Sequence, residues 1–354
     1  MNAMDGKTGL QAEMLGNRLR KRYKHLAKWA RRKGIGAYRL YDRDIPEIPL
    51  VLDYYRGEAV PGGELMGALA GAVYRRPYEK DPAEEASWLA TMEEVMAAAL
   101  DIPRTRIFMK ERRRLRRRQG QYEKIDSPRG TYELAVPEGN LKFRVNLSDY
   151  LDTGLFPDRR GIRALLGEEA AGRRTLNLFA YTCASSVYAA AGGAASVDSV
   201  DISNTYLNWG EQNFTLNGLT GGRGTGGPFR FIRADVPRFL ENAVKEGRKW
   251  DLIILDPPAF SNSKRMAGTL DTRRDHPRLI ARCLELLGRG GRLWFSAGTD
   301  RFRLERGEIE GLVKPRNLRI EEPGDNIMDE DFKGRRPLPC FIFSFPPRTK
   351  AVVY

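Results

Sequence analysis

Apolar positions recur at helical spacing near the start of the chain. Leu15, Leu19, Tyr23, Leu26 and Ala30 are separated by four, four, three and four residues. That period lines one face of an amphipathic helix, which Gly34 and Gly36 would end. Within residues 37–60 and 70–76 the runs "LVLDYYR" and "GAVYRR" read as short strands. "PAEEASWLATMEEVMAAAL" (82–100) predicts a second helix, with Pro82 in its first turn and acids beside it. "RIFMKERRRLRRR" (106–118) begins as a strand, and "TYELAVPEGNLKFRVNL" (131–147) predicts a hairpin around "PEGN". Together these make a small α+β unit.

From about residue 157 the pattern changes. After a helix near 158–168, the strand-like segments "RTLNLF", "SVDSVD", "RFIRA", "WDLIILD" and "GRLWFSA" alternate with helical segments near 184–191, 203–216, 235–246 and 274–288. Strands alternating with helices of this length imply parallel βαβ units. The expected fold class is therefore α/β: a Rossmann-like, doubly wound and mostly parallel sheet, preceded by the small α+β domain. "PLPCFIFSF" reads as a last strand pairing antiparallel at the sheet's edge. "GGRGTGGP" (221–228) precedes a strand, whereas a phosphate loop should follow one, so it is read as a surface connection. The expected division is a disordered leader at 1–13, a basic domain at 14–148 and the α/β domain at 149–354.

Charge changes this picture. The chain of 354 residues carries 60 Lys and Arg against 46 Asp and Glu, a net charge of +14. Residues 1–135 hold 27 of the basic residues and 19 of the acidic ones, so over half the excess sits in the first two-fifths. Such a balance favours a polyanionic partner. Residues 17–33 contain nine Lys or Arg and no acid, and seven of the nine residues in 110–118 are basic. A merely solvated face would usually mix signs. The candidate phosphate-gripping residues are Arg18, Arg20, Lys21, Arg22, Lys24, Lys28, Arg31 and Arg32 in the first run. In the second they are Lys110, Arg112, Arg113, Arg114, Arg116, Arg117 and Arg118. No run approaches the ~18 apolar residues of a membrane span, and no secretory signal opens the chain. Three scattered cysteines suit a reducing cytoplasm, and two histidines argue against a metal site.

Candidate chemistry follows from the strand ends, because ligands of doubly wound sheets lie beyond the carboxyl ends of the strands. The first such strand feeds "LNLFAYTCASS", a turn of small residues. The second ends at Asp201, placed to accept both hydroxyls of a ribose. The third ends near Asp235, placed to accept from an exocyclic amine. The fourth, Leu252 to Leu255, is short, apolar and stopped by "DPPAF": Pro257 and Pro258 lack ladder donors and hold Asp256 at the strand's tip. NAD or S-adenosylmethionine (SAM) would suit three strand-tip acids. The first turn lacks Gly-x-Gly-x-x-Gly, and nothing obvious supplies the acid/base partner that hydride transfer requires. Methyl transfer needs mainly a pocket presenting a nucleophilic nitrogen in line with the sulfonium methyl. Asp256 and the following carbonyl can accept from a base edge while Phe260 stacks on its face. Stacking is worth roughly 1–3 kcal/mol per base, which offsets part of the unstacking cost of a flipped nucleotide.

The segments "NRLRKRYKHLAKWARRKGIGAYRLYDRDIPE", "VNLSDYLDTGLFPDRR", "LNLFAYT", "ISNTYLNWGEQNFTLNGL", "DPPAFSNSKRM" and "RRDHPRLI" resemble the RlmK type of bacterial 23S ribosomal RNA methyltransferase over nearly the whole chain from residue 14. The resemblance implies a class I, SAM-dependent enzyme that methylates N7 of a guanine, often as the C-terminal half of a bifunctional protein. The other half carries a THUMP domain and an N2-guanine methyltransferase. Its partners would be 23S rRNA or a precursor particle, and a THUMP/N2-guanine methyltransferase as a separate protein or as the other half of the same chain. Carried over by residue, SAM would meet Phe156, Asp158, Arg160, Asn177, Phe179, Tyr181, Asp201, Ile202, Asp235, Val236 and Asp256, with the base held by Asp256, Pro257, Pro258 and Phe260. The family usually reads Tyr-Thr-Gly after the first strand where this chain has Tyr181-Thr182-Cys183, so a reshaped cofactor contact is expected.

Guanine N7 carries a free lone pair and needs no general base, which suits a histidine-poor chain. His276 is expected as a helix-start residue. Cytosine C5 chemistry would need a cysteine nucleophile, but Cys183 belongs to the turn, Cys283 to a helix and Cys340 to the last strand. The alternatives are methylation of an exocyclic amine (N2-guanine or N6-adenine) and a catalytically silent rRNA-binding assembly factor.

Overall fold

The apolar stripe of residues 15–30 is the inner face of a longer helix. The computed structural model describes residues 6–74, 81–112, 130–220, 226–261, 268–299, 302–313 and 317–346. In it helix α1 spans Gly6–Lys33, and Gly34 turns the chain out of it at φ 65°. Residues 6–13, expected as leader, are thus helical. Ala12 is buried, and Gln11 accepts a 2.7 Å hydrogen bond from the buried Trp88 indole.

The chain divides into two compact units, residues 1–157 with 330–333, and 158–329 with 334–354. In the first, strands β1 (Ala37–Asp42), β2 (Leu50–Glu58) and β3 (Leu65–Tyr74) precede helix α2 (Pro82–Leu100), followed by β4 (Ile107–Arg112), β5 (Glu133–Glu138) and β6 (Leu141–Asn146). The sheet runs β4-β3-β2-β5-β6, with β1 also pairing β2; only the β3–β4 pair is parallel. Asp81 caps α2 by accepting from the Ala83 and Glu84 amides, and Pro82 needs no such partner. Leu15, Leu19 and Leu26 of α1 share one core with Trp88 and Met92 of α2 and with Leu40, Leu52 and Leu69 of the sheet. Each such fully buried side chain stabilises the fold by roughly 1.5–3 kcal/mol. The returning segment 330–333 is tied in by Asp331, whose carboxylate accepts from the Arg39 amide at 3.0 Å.

The second unit contains α3 (Arg160–Glu169), β7 (Arg174–Leu178), α4 (Ala184–Ala191), β8 (Ser196–Asp201), α5 (Asn204–Leu216), β9 (Phe229–Arg233), α6 (Val236–Lys245) and β10 (Trp250–Leu255). It continues with β11 (Phe260–Ser261), β12 (Leu270–Asp271), α7 (Thr272–Glu285), β13 (Leu287–Ser296), α8 (Arg306–Leu312), β14 (Arg319–Glu321) and β15 (Cys340–Ser344). Its seven-stranded sheet runs β14-β15-β13-β10-β7-β8-β9. The five strands β13, β10, β7, β8 and β9 are parallel. This is the doubly wound α/β sheet expected from the alternation of elements.

Strand β15 pairs antiparallel with β13, as expected, but it is not the edge: β14 pairs outside it. A three-residue strand, Arg319–Glu321, is too short for its alternation to be visible. Leu252, Ile253 and Leu255 of β10 are fully buried, and Ile253 and Leu255 belong to the core formed with α6 and α7. Strand order reverses between β7 and β10, so their carboxyl ends flank the crevice where such sheets take ligands. Among the described residues no helix is long and apolar enough to cross a membrane.

Candidate active site

The turn leaving β7 combines three non-glycine residues with left-handed backbone: Phe179 (φ 56°), Tyr181 (φ 51°) and Cys183 (φ 60°). For an L-residue this conformation costs roughly 1–2 kcal/mol, so neighbours must impose it. The Ala180 amide donates to the Val200 carbonyl (3.0 Å), and the Cys183 amide to the Ala180 carbonyl (2.8 Å). The Tyr181 amide donates to Asp201 Oδ2 (2.9 Å), and Asn213 Nδ2 to the Thr182 carbonyl (2.9 Å). Asn177, buried within β7, donates to Ser186 Oγ of α4 at 2.8 Å and fixes the strand against that helix.

Asp201 ends β8 beside this turn. Burial pushes its carboxyl up to about 6, opposed by amide hydrogen bonds from Ser203, Tyr181 and Ile202. An ionised carboxylate offers about four acceptor positions, and these three amides leave about one of them open. Asp235 precedes α6 and is half-buried, and burial raises its carboxyl pKa as well. Val236, the first residue of α6, is buried.

Beyond β10 the elbow is fixed by side chains that the sequence did not single out. Asp256 Oδ2 accepts from Arg159 Nε at 3.1 Å and its Oδ1 from Arg159 Nη2 at 3.3 Å. Arg159 Nη1 also meets Asp158 Oδ2 at 2.8 Å. Arg160, expected at the cofactor, is buried with Nη1 on Asp329 Oδ2 at 2.8 Å. The short 3₁₀ turn at Pro157–Arg159 decides which of two adjacent arginines reaches the elbow. Phe156, two residues before the unit boundary, is exposed.

Thr272, fully buried at the start of α7, donates its hydroxyl to the Pro258 carbonyl (2.7 Å) and its amide to the Ala259 carbonyl (3.2 Å). Phe260, half-buried, pairs with Asp271 in the β11–β12 ladder. Pro257 is buried and Pro258 partly so. Nothing in the sequence near Pro258 points to a threonine fourteen residues on.

His276 lies inside α7 and is fully buried. Its Nδ1 is 3.0 Å from the carbonyls of Thr272 and Arg273, and its Nε2 accepts from the Glu305 amide at 3.1 Å. Both nitrogens therefore hold backbone. Cys283 and Cys340 are buried, which pushes their thiol pKa values up, and Cys183 is fully buried.

Of the first unit's candidate cations, some are committed to the fold. Arg18 Nε binds Asp44 (2.7 Å), Arg22 donates to the Leu40 and Asp331 carbonyls, and Lys110 Nζ donates to the Tyr150 carbonyl. Arg20 is exposed and contacts Asn17. Lys21, Lys24, Lys28, Arg31 and Arg32 are exposed, with no partner among the described residues; Lys21, Lys24 and Lys28 are three and four residues apart, and Arg31 and Arg32 follow at three and four residues from Lys28. The side chain of Arg112 and all of Arg113, Arg114, Arg116, Arg117 and Arg118 lie outside the described residues, as do residues 221–225 of the glycine-rich connection.

Residues 58–304 match the family model for S-adenosylmethionine-dependent methyltransferases. The chain is 42% identical to the ribosomal RNA large subunit methyltransferase K of Neisseria meningitidis, over 92% of this chain and 85% of that protein. It is also 42% and 43% identical to the K/L methyltransferases of Methylococcus capsulatus and Cellvibrio japonicus, over 89% and 91% of this chain. In both cases it spans 41% of the relative's length. Among solved structures, the fold is similar to that of SMU.776, a methyltransferase complexed with SAH (TM-score 0.69, 21% identity, covering 94% of this chain and 81% of that one). It is also similar to a SAM-dependent methyltransferase from Agrobacterium tumefaciens (TM-score 0.53, 19% identity, 84% and 88%). The turn, the three strand-tip acids and the elbow thus occur in a chain that belongs to the S-adenosylmethionine-dependent methyltransferase family, with the ribosomal RNA large subunit methyltransferases K and K/L.

Proposed function

We propose that this cytoplasmic enzyme transfers a methyl group to N7 of a guanine in large-subunit ribosomal RNA. The observation that carries this reading is the elbow at Asp256–Phe260, two prolines between an acid and an aromatic at the tip of a central strand, which would hold a flat base by its edge and face. The names of the relatives supply the substrate class. SAM would be held by the turn at Phe179–Cys183, by Asp201 and Ile202, and by Asp235 and Val236, with Asp158 as a further candidate. When bound it supplies the methyl group.

Both oxygens of Asp256 face the Arg159 guanidinium, which fixes the orientation of the carboxylate. The choice of a ring nitrogen follows the resemblance to the RlmK type. N7 has a lone pair and no proton to lose, so orientation alone suffices. Pro257 and Pro258 fix the elbow, and Phe260 would stack on the flipped base. The exposed cations of α1 would grip RNA phosphates, with sequence-independent and salt-sensitive affinity. Substrate would be 23S rRNA or its precursor particle, and a THUMP-bearing half, in a separate protein or in the same polypeptide, would complete the arrangement that the resemblance to the RlmK type implies.

The test is product identity. The protein is incubated with SAM and large-subunit rRNA or precursor particles, the RNA is digested, and the methylated nucleoside is identified by mass spectrometry. N7-methylguanosine, reduced at least about 100-fold in rate by Asp256→Ala, is the expected result. N2-methylguanosine or N6-methyladenosine would overturn the target atom, and no product on either substrate would overturn the enzymatic reading in favour of a binding factor.

A further inference from the structure

The cofactor turn is built against one face of α5. Tyr206, Gly210 and Asn213 stand at i, i+4 and i+7, so they share a side of the helix. Each meets a different residue of the turn. The Tyr206 ring packs edge-on against Tyr181, with centroids 4.5 Å apart and planes at 66°. Asn213, fully buried, holds the Thr182 carbonyl. Between them, Gly210 faces Cys183. A Cβ placed on residue 210 would lie 2.4 Å from Cys183 Sγ and 2.9 Å from Cys183 Cβ, both shorter than real Cβ contacts.

Neither residue can step aside. Gly210 is inside α5, and Cys183 is pinned by its amide on Ala180 and by its carbonyl, which accepts from Val187 at 2.9 Å. The Cys183 thiol is fully buried and lies 3.7 Å from the Tyr181 carbonyl, so volume rather than reactivity is what it contributes.

We propose that Cys183 and Gly210 are matched positioning residues for the cofactor. The Cys183 side chain fills the space that Gly210 leaves, and this seat holds residue 183 at its left-handed φ, and with it the backbone from Phe179 to Thr182. The inference rests on the reading that this turn contacts SAM. It makes the two positions interdependent, since the space takes a side chain from one or from the other. Glycine at 183 would adopt φ 60° without strain, and alanine at 210 would then refill the vacated volume.

Four full-length proteins test this: the parent, Gly210→Ala, Cys183→Gly and the double variant, each titrated with SAM by calorimetry and melted without ligand. Contacting residues couple strongly, so Gly210→Ala is expected to weaken SAM binding about tenfold or more, and the double variant to return to within about threefold of the parent. Cys183→Gly alone empties the seat and is expected to weaken SAM binding by an intermediate amount, about three- to tenfold. Unchanged SAM affinity and melting in Gly210→Ala would overturn the pairing, as would a double variant no better than Gly210→Ala. If Gly210→Ala melts earlier yet binds SAM normally, and the second substitution restores the melt, the packing stands but the positioning role falls, together with the assignment of this turn to SAM. Should Gly210→Ala not fold, recovery of folding and SAM binding in the double variant decides the matter.

Discussion

The turn after β7 and the elbow after β10 leave neighbouring strands of one sheet, yet they are held in place differently. The elbow is stiffened from within: Pro257 and Pro258 have fixed φ whatever surrounds them. Arg159 and Thr272 then orient its carboxylate and its carbonyls. The turn contains neither proline nor glycine between Phe179 and Cys183. Its left-handed residues are unfavourable in isolation and are imposed by α5 and by Asp201. A covalently stiff segment tolerates changes in its neighbours, whereas one whose shape comes from its neighbours should be sensitive to them. Substitutions around the turn should therefore act on SAM affinity, and substitutions around the elbow on the methyl-transfer rate.

Asp201 offers the largest contrast. Burial raises its pKa to about 6 against opposing amide hydrogen bonds, above the value of about 3.9 expected in an unfolded chain. The folded state therefore binds the extra proton between these values. Stability due to this group is highest below about pH 4 and is lost as pH rises through about 6. Ribose hydroxyls are better accepted by the ionised form, so SAM affinity should move the opposite way and weaken as pH falls from 7 to 5. Asp201→Asn should remove both dependences and weaken SAM binding about 10- to 100-fold, as expected from losing a hydrogen bond to a charged acceptor. Calorimetric titration at three pH values in parent and variant measures this. A parent affinity flat with pH would mean that Asp201 is a purely structural cap of the turn.

Thr272→Val is the matching perturbation of the elbow, and a smaller one. It removes the hydroxyl that holds the part-buried Pro258 carbonyl while keeping the side chain's shape. Leaving that acceptor unpaired costs about 1–3 kcal/mol, visible as an earlier thermal transition. Methyl transfer should slow while the SAM dissociation constant stays within experimental scatter. A joint fall in rate and affinity would mean that the two strand tips are mechanically coupled, contrary to the comparison.

The same division between local and borrowed shape explains what could be read in the sequence. Leu252–Leu255, the two prolines and the acids at 201, 235 and 256 announce themselves within a few residues, because strand burial and proline geometry are local. The doubly wound, mostly parallel class of the sheet followed from the alternation of elements, but its strand order did not. Thr272 was invisible because its partner carbonyl lies fourteen residues away, and residues 6–13 because the partner of Gln11 is Trp88. Arg159 and Arg160 are indistinguishable as letters, and a single 3₁₀ turn gives the first to Asp256 and the second to Asp329. The missing glycine at 183 was visible, but its counterpart at 210 had meaning only once α5 was seen against the turn.

On α1 the contrast becomes one between cations engaged by the fold and cations left outward, and it yields the smallest expected effects. Arg18 is tied to Asp44, which is mostly buried, while Lys24 and Lys28 are exposed with no partner among the described residues. If outward cations contact RNA phosphates, each alanine replacement should lower the slope of log affinity against log salt by about 1. The melting temperature should not move. Arg18→Ala should do the reverse: the ion pair is partly exposed, so its loss costs at most about 1 kcal/mol of stability, with the slope unchanged. Filter binding of large-subunit rRNA across a salt series, beside a melt of each variant, separates the two. An Arg18→Ala slope as shallow as that of Lys24→Ala would show that the Asp44 pair opens for RNA, and that hydrogen bonding in the free protein does not sort phosphate contacts from structural ones.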